Sequence, residues 1–231
     1  FFFYPYSSYT IAQNAYFSTS PSTDAEVATF SISSGSLPLG LSLNSATGGV
    51  FGTPTQSVTN REVVIKVENA ANFNTTRLVF TVILPITAFS YSLSTYTLPK
   101  GMSFSISPSV TGYAQSYSIT NGYLPTGLQL NENTGVITGS PSETIISQMV
   151  TVKVINVLGS KTTTLTFTIL QPITDFSYSA REYALAKDET VSISPNTTGD
   201  SVTYSVRGAL PVGLGINSST GIISGTPSSS A

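Results

Sequence analysis

The chain has 231 residues, 40% of them hydrophobic and 10% aromatic, enough apolar material for real cores in one large domain or several small ones. Only 9% are charged, against about 25% in an average soluble protein, and a net charge of -2 with scattered Lys and Arg supplies no field for neutralising phosphates, so nucleic acid is not an expected partner. Histidine and cysteine are absent, which removes the usual general base, the thiol nucleophile, the best transition-metal ligands and any disulfide framework.

Read in chain order, Phe2, Tyr4 and Tyr9 belong to an opening strand expected over residues 1–11. At Leu37-Pro38-Leu39-Gly40-Leu41-Ser42-Leu43-Asn44, Pro38 fixes φ and Gly40 permits a positive φ, so the chain bends sharply before a short alternating strand. Asn44 and Thr47-Gly48 then form a tight turn, Val50 and Phe51 return, and Gly52-Thr53-Pro54 stops the returning strand, since Pro cannot donate to a central ladder. Val63, Ile65 and Val67 alternate with polar residues such as Lys66, as do Leu78, Phe80 and Val82 around Thr81. That is the period of strands with one buried face; helical periodicity appears nowhere.

The same series then recurs. Pro125, Gly127, Gly135 and Pro141 repeat the motif residues Pro38, Gly40, Gly48 and Pro54, and Pro211, Gly213, Gly221 and Pro227 repeat them again, with Gly40, Gly127 and Gly213 spaced 87 and 86 residues apart. Phe89, Tyr91 and Tyr96 match the opening aromatics, followed by Phe176, Tyr178 and Tyr183. Three units result, over residues 1–85, 86–172 and 173–231. Pro85 and Pro172 carry one unit into the next without a flexible linker, which predicts a rod of stacked units. The third unit lacks counterparts of Met149 to Val154 and Leu165 to Leu170, so it is expected to be two strands short, completed by continuation of the chain in preference to a donated strand.

The elements Tyr117-Ser118-Ile119 and Tyr204-Ser205-Val206, with Leu-Pro-x-Gly-Leu, Asn-x-x-Thr-Gly and Gly-Thr-Pro, resemble those of the immunoglobulin-like tandem repeats of large bacterial and eukaryotic surface proteins, relatives of the cadherin-like domains of dystroglycan. The first unit departs from the pattern with Phe30-Ser31-Ile32. The resemblance covers nearly the whole chain. It implies an all-β fold of tandem immunoglobulin-like (cadherin-like) antiparallel β-sandwiches of roughly 100 residues or slightly fewer each, used in extracellular adhesion or as spacers, and it implies no particular ligand.

Three sequons, at Asn74, Asn196 and Asn217, are candidates for covalent glycans, the first two expected in loops and the third in the motif turn. Dense O-glycosylation of the Ser and Thr surface is a further expectation. Calcium is not expected: cadherin-like junctions gather carboxylates, whereas here only Asp188-Glu189 are adjacent and Asp175 near the second junction has Ala88 as its counterpart at the first. Without His or Cys, and with no acid recurring between units, the chain is not expected to be an enzyme. Tyr113 and Tyr123, in or beside turns, are the rings available for sugar stacking, though most repeated aromatics read as core. Phe1 and Phe3 lack aromatic counterparts in later units and are candidates for contacts with another subunit or a preceding domain. No apolar run is long enough to span a membrane, and the start at Phe1 reads as a mature or excised segment. The function expected is an extracellular or cell-surface structural repeat protein, forming a stalk, surface array or glycosylated fibre. Its partners would be itself, neighbouring repeats or glycans. The alternative is a module that binds a glycan or protein through loops such as residues 196–200.

Overall fold

The computed structural model describes residues 1–24 and 29–228. The first repeat contributes β1 (Phe2–Phe3), β2 (Ser8–Ala12), β3 (Phe17–Thr19), β4 (Ser22–Thr23), β5 (Thr29–Gly35), β6 (Leu41–Leu43), β7 (Val50–Gly52), β8 (Val58–Glu68) and β9 (Phe73–Ile83). The second contributes β10 (Ala88–Ser90), β11 (Thr95–Pro99), β12 (Phe104–Ile106), β13 (Ser109–Thr111), β14 (Ser116–Gly122), β15 (Leu128–Leu130), β16 (Ile137–Gly139), β17 (Ile145–Asn156) and β18 (Gly159–Leu170). The third contributes β19 (Asp175–Tyr178), β20 (Val191–Ile193), β21 (Pro195–Thr198), β22 (Leu214–Ile216) and β23 (Ile223–Gly225).

In each of the first two repeats a four-stranded sheet, β2-β9-β8-β5 or β11-β18-β17-β14, faces a three-stranded one, β3-β7-β6 or β12-β16-β15. The pairings are antiparallel except β2 with β9 and β11 with β18, which are parallel. The opening segment is therefore not the single strand expected from the sequence. It is split: β1 pairs with β4, as β10 pairs with β13, and then the chain crosses to the other sheet as β2 or β11. A Tyr hydroxyl bridges the crossing, with the Tyr9 hydroxyl accepting the Tyr6 N–H at 3.4 Å and the Tyr96 hydroxyl accepting the Leu93 N–H at 3.0 Å.

The core lies between the sheets and is built from the alternating positions the sequence marks. Val63, Ile65, Leu78, Phe80 and Val82 are buried in the first repeat, and Val150, Val152, Leu165, Phe167 and Ile169 in the second. Two aromatic clusters recur. Tyr9 stacks on Phe80 at 5.5 Å with Phe17 edge-on at 5.2 Å, and Tyr96 stacks on Phe167 at 5.5 Å with Phe104 edge-on at 5.4 Å, so one cluster joins both sheets. The other holds Phe2 against Phe30, Phe89 against Tyr117 and Phe176 against Tyr204.

The third repeat loses more than the two strands counted from its sequence. Without partners equivalent to β17 and β18, its segments around Tyr183 and Tyr204 form no strand, and the sheet β20-β23-β22 has no facing sheet. The reason is topological: in the complete repeats the second half of the opening segment, β2 or β11, bonds only β9 or β18, and β5 or β14 bonds only β8 or β17. Its inward residues Val191, Ile193, Leu214, Ile216 and Ile223 are consequently only half-buried.

Candidate functional site

Each motif block makes sense as a pair of facing backbones. Gly40 has φ 93° and Gly52 has φ 135°, and the two stand so close that a Cβ on Gly40 would overlap the Thr53 carbonyl oxygen and one on Gly52 the Gly40 carbonyl oxygen. The Thr53 N–H donates to the Gly40 carbonyl at 3.0 Å, and Ser140 to Gly127 and Thr226 to Gly213 repeat the bond at 3.1 Å. Leu-Pro-x-Gly and Gly-Thr-Pro are thus two halves of one structure. Pro54, Pro141 and Pro227 lie just past the returning strand, where their carbonyls accept the N–H groups of Asn14, Gly101 and Asp188. Asn14 (φ 63°) and Asp188 (φ 61°) are left-handed here, so Asp188 serves as a turn residue.

In the intervening turn the Asn44 Oδ1 accepts the N–H groups of Ala46 and Thr47, the Asn131 Oδ1 those of Asn133 and Thr134, and the Asn217 Oδ1 those of Ser219 and Thr220, all at 2.9–3.0 Å. The carbonyl of the following Gly accepts a phenol, buried in the first two repeats and half-buried in the third: Tyr4 to Gly48 at 2.5 Å, Tyr91 to Gly135 at 2.5 Å and Tyr178 to Gly221 at 2.6 Å. Burial, which disfavours the phenolate, pushes all three hydroxyls above the ordinary tyrosine value, and neighbouring Tyr residues push the same way.

At the first junction the chain leaves β9 through Leu84 and Pro85. The Tyr113 N–H donates to the Leu84 carbonyl at 3.0 Å, while the Asn156 side-chain amide donates to the Tyr113 carbonyl at 2.9 Å and to the Leu84 carbonyl at 3.4 Å. Asn156 is only 7% exposed, and its Oδ1 accepts the Leu158 N–H at 2.9 Å, which fixes the amide orientation. Ile86 is buried against Tyr117 and Val154. Gly112, at φ 124°, passes so close to Pro85 that a Cβ there would overlap the Pro85 carbonyl. At the second junction the Asp200 N–H donates to Gln171 at 2.9 Å, the Gln171 N–H returns to the Asp200 carboxylate at 2.7 Å, and Gly199 lies where a Cβ would come within 2.9 Å of Ile173. Ile173 is 59% exposed.

The predicted site residues are therefore dispersed. Asn74 lies in β9 opposite Val67, and Asn196 in β21 opposite Ser177, so neither is in the loop expected for it. The strands run further than the hydrophobic alternation that marked them. Asn217 lies in the motif turn as expected. Phe1 and Phe3 pack on each other at 5.7 Å and are 66% and 51% exposed, while Phe2 between them is buried. Tyr113 and Tyr123 are exposed, and Tyr113 lies at the junction by its backbone bond to Leu84. Of the segment 196–200 proposed for ligand binding, Asn196 to Thr198 are strand and Asp200 closes a junction. Asp175 accepts the Asn196 amide at 3.4 Å. Among the described residues no three Asp or Glu side chains gather as a metal site requires. Nor is any helix long and apolar enough to cross a membrane.

Sequence reasoning missed Asn156 and the junction glycines. Thr111-Gly112 and Thr198-Gly199 do recur 87 residues apart, and that second repeated Thr-Gly pair was the available signal. Asn156 recurs as well, 87 residues after Asn69, and both Oδ1 atoms accept the N–H two residues on, but only the packed junction shows that the Asn156 amide is buried.

A family model described as "Putative Ig domain" matches the chain three times in tandem, over residues 1–85, 86–170 and 171–231. The chain belongs to this family. The Ig-like repeats are thus those the motif residues resembled, and the all-β tandem fold agrees with solved structures. The I-band fragment I67-I69 from titin is similar, with a TM-score of 0.54 at 11% identity over 99% of this chain and 89% of that one. The E-to-A mutated variant of titin I67-I69 gives 0.53 at 10% identity over the same shares. At such identity the likeness concerns fold alone. A search among curated proteins gives no match.

Proposed function

We propose that this chain is a rigid extracellular spacer: a stalk, surface-array or fibre element whose repeats hold a fixed relative direction and perform no chemistry. The observation that carries this is the first junction, where one carbonyl, Leu84, accepts both the Tyr113 N–H and the buried Asn156 amide beside a proline of fixed φ. A linker meant to swing has no use for a doubly bonded carbonyl. The low charge and hydroxyl-rich composition suit the cell exterior. Exposed Phe1 and Phe3 are the contacts proposed for a neighbouring repeat or subunit.

Small-angle scattering of residues 1–170 tests the reading. The expected profile is that of one extended shape, and Gly112→Val, which forces the Pro85 backbone away, broadens it. A wild-type profile that fits only a distribution of angles between the two repeats would overturn the proposal. The binding-module alternative loses its main loop, because residues 196–200 are already used in strand and junction bonds.

A further inference from the structure

We propose that Asn217 is an N-glycan acceptor, and that the hydrogen-bonded motif turn, beyond the Asn-x-Ser triplet, makes it one. The three sequons have different geometries. In extended strand, residues i and i+2 share a face about 6.5 Å apart, which keeps the Thr76 and Thr198 hydroxyls away from the amides of Asn74 and Asn196. Among the described residues the Asn74 Oδ1 accepts only the adjacent Thr75 N–H, at 2.8 Å, and the Asn196 amide is turned to the Asp175 carboxylate at 3.4 Å.

Asn217 differs in every respect. Its backbone N–H bonds the Ile222 carbonyl at 2.9 Å, its carbonyl accepts the Gly221 N–H at 2.8 Å, and its Oδ1 accepts two N–H groups, from Ser219 at 2.9 Å and Thr220 at 3.0 Å. The side chain is exposed, and its Nδ2 has no partner among the described residues. All these bonds fall within residues 217–222, so the turn forms from its own residues. A carboxamide nitrogen is a poor nucleophile because its lone pair is delocalised. Two N–H donors on Oδ1 stabilise the negative charge that accumulates on oxygen as an Nδ2 proton departs, so they ease that loss.

The step is a substitution at the anomeric carbon of a sugar carried on a lipid phosphate or pyrophosphate. The Nδ2–C1 bond forms, the C1–O bond breaks, the electron pair leaves with the phosphate group, and one amide proton passes to a base of the transferase. Asn44 and Asn131 make the same pair of Oδ1 bonds but have Ala46 and Asn133 where Asn217 has Ser219. The chain therefore contains the turn twice without the hydroxyl, and the triplet twice without the turn.

The test is glycopeptide mass spectrometry of the full chain secreted from a host that N-glycosylates. Occupancy is expected to be several-fold higher at Asn217 than at Asn74 or Asn196. Ala46→Ser and Asn133→Ser are each expected to add one glycan, at Asn44 and Asn131. Both substitutions are at exposed turn positions, so they leave folding intact. An unmodified Asn217, equal occupancy at the three natural sequons, or no gain in either variant overturns the proposal.

Discussion

The second and third repeats contain the same two motif blocks, and both fold them alike: β15-β16 and β22-β23 are hairpins with matching registers, and Tyr91 and Tyr178 bond the equivalent Gly carbonyls. Around these hairpins the two repeats diverge. Tyr96 lies in a strand and stacks on Phe167, whereas Tyr183 lies in no strand and is 39% exposed. The difference separates structure that a segment makes with itself from structure it makes only with a distant partner. Each hairpin closes within twelve residues, Leu128 to Gly139 and Leu214 to Gly225; β11 and β14 exist because β18 and β17 are there to pair with.

The strongest way to break this comparison is to supply the absent partners. Placing a copy of residues 143–170 after Ser228 is expected to turn the segments around Tyr183 and Tyr204 into strands, with slow amide exchange in both. Exchange that stays fast would show that those segments fail for a reason of their own. The converse removes the shared packing from the second repeat. Phe167 is fully buried between Tyr96 and Phe104, and Phe167→Ala is expected to destabilise that repeat by about 3–5 kcal/mol while leaving the exchange of β22 and β23 unchanged.

A smaller effect is expected at the junctions. Asn156→Ala removes the side-chain donor to the Leu84 and Tyr113 carbonyls, at a cost of about 1–3 kcal/mol, and should loosen the first junction while leaving the second unchanged. Limited proteolysis at Leu84 and Gln171 compares them directly.

The smallest effect is one of pH. Burial raises the Tyr4 and Tyr91 hydroxyls above their unfolded value of about 10, so the folded state favours the neutral phenol. Their stabilisation is complete below that pH and declines as pH climbs past it towards the folded value. Tyr91→Phe is expected to cost about 1 kcal/mol at neutral pH through the lost bond to Gly135 and to flatten the alkaline decline of the second repeat, read by denaturant titration between pH 9 and pH 11.

Much of this was legible in the chain itself. The motif prolines and glycines marked their turns because each needs a particular φ, and the Val and Ile runs at 63–67 and 150–154 marked their strands by alternation alone. The strand bulge was not legible. Asn60 (φ 50°) and Ser147 (φ 56°) hold equivalent left-handed positions, each with its N–H on a Thr hydroxyl at 3.2 Å, but Asn and Ser share no turn signature here. Nor was the crossing of the opening segment between sheets, since Phe2 and Tyr9 face the core from different sheets, with Tyr4 between them, and so read as one apolar run.

By itself, then, the sequence determined the repeat, the all-β class and the motif hairpins, because these depend on bonds and dihedral limits among residues close in the chain. Tertiary structure alone decided that Asn156 is buried at a junction, that Asn74 and Asn196 are held in strands, and that two missing strands remove a whole sheet. Each of those outcomes depends on which distant backbone lies alongside, and no local pattern of side chains specifies that.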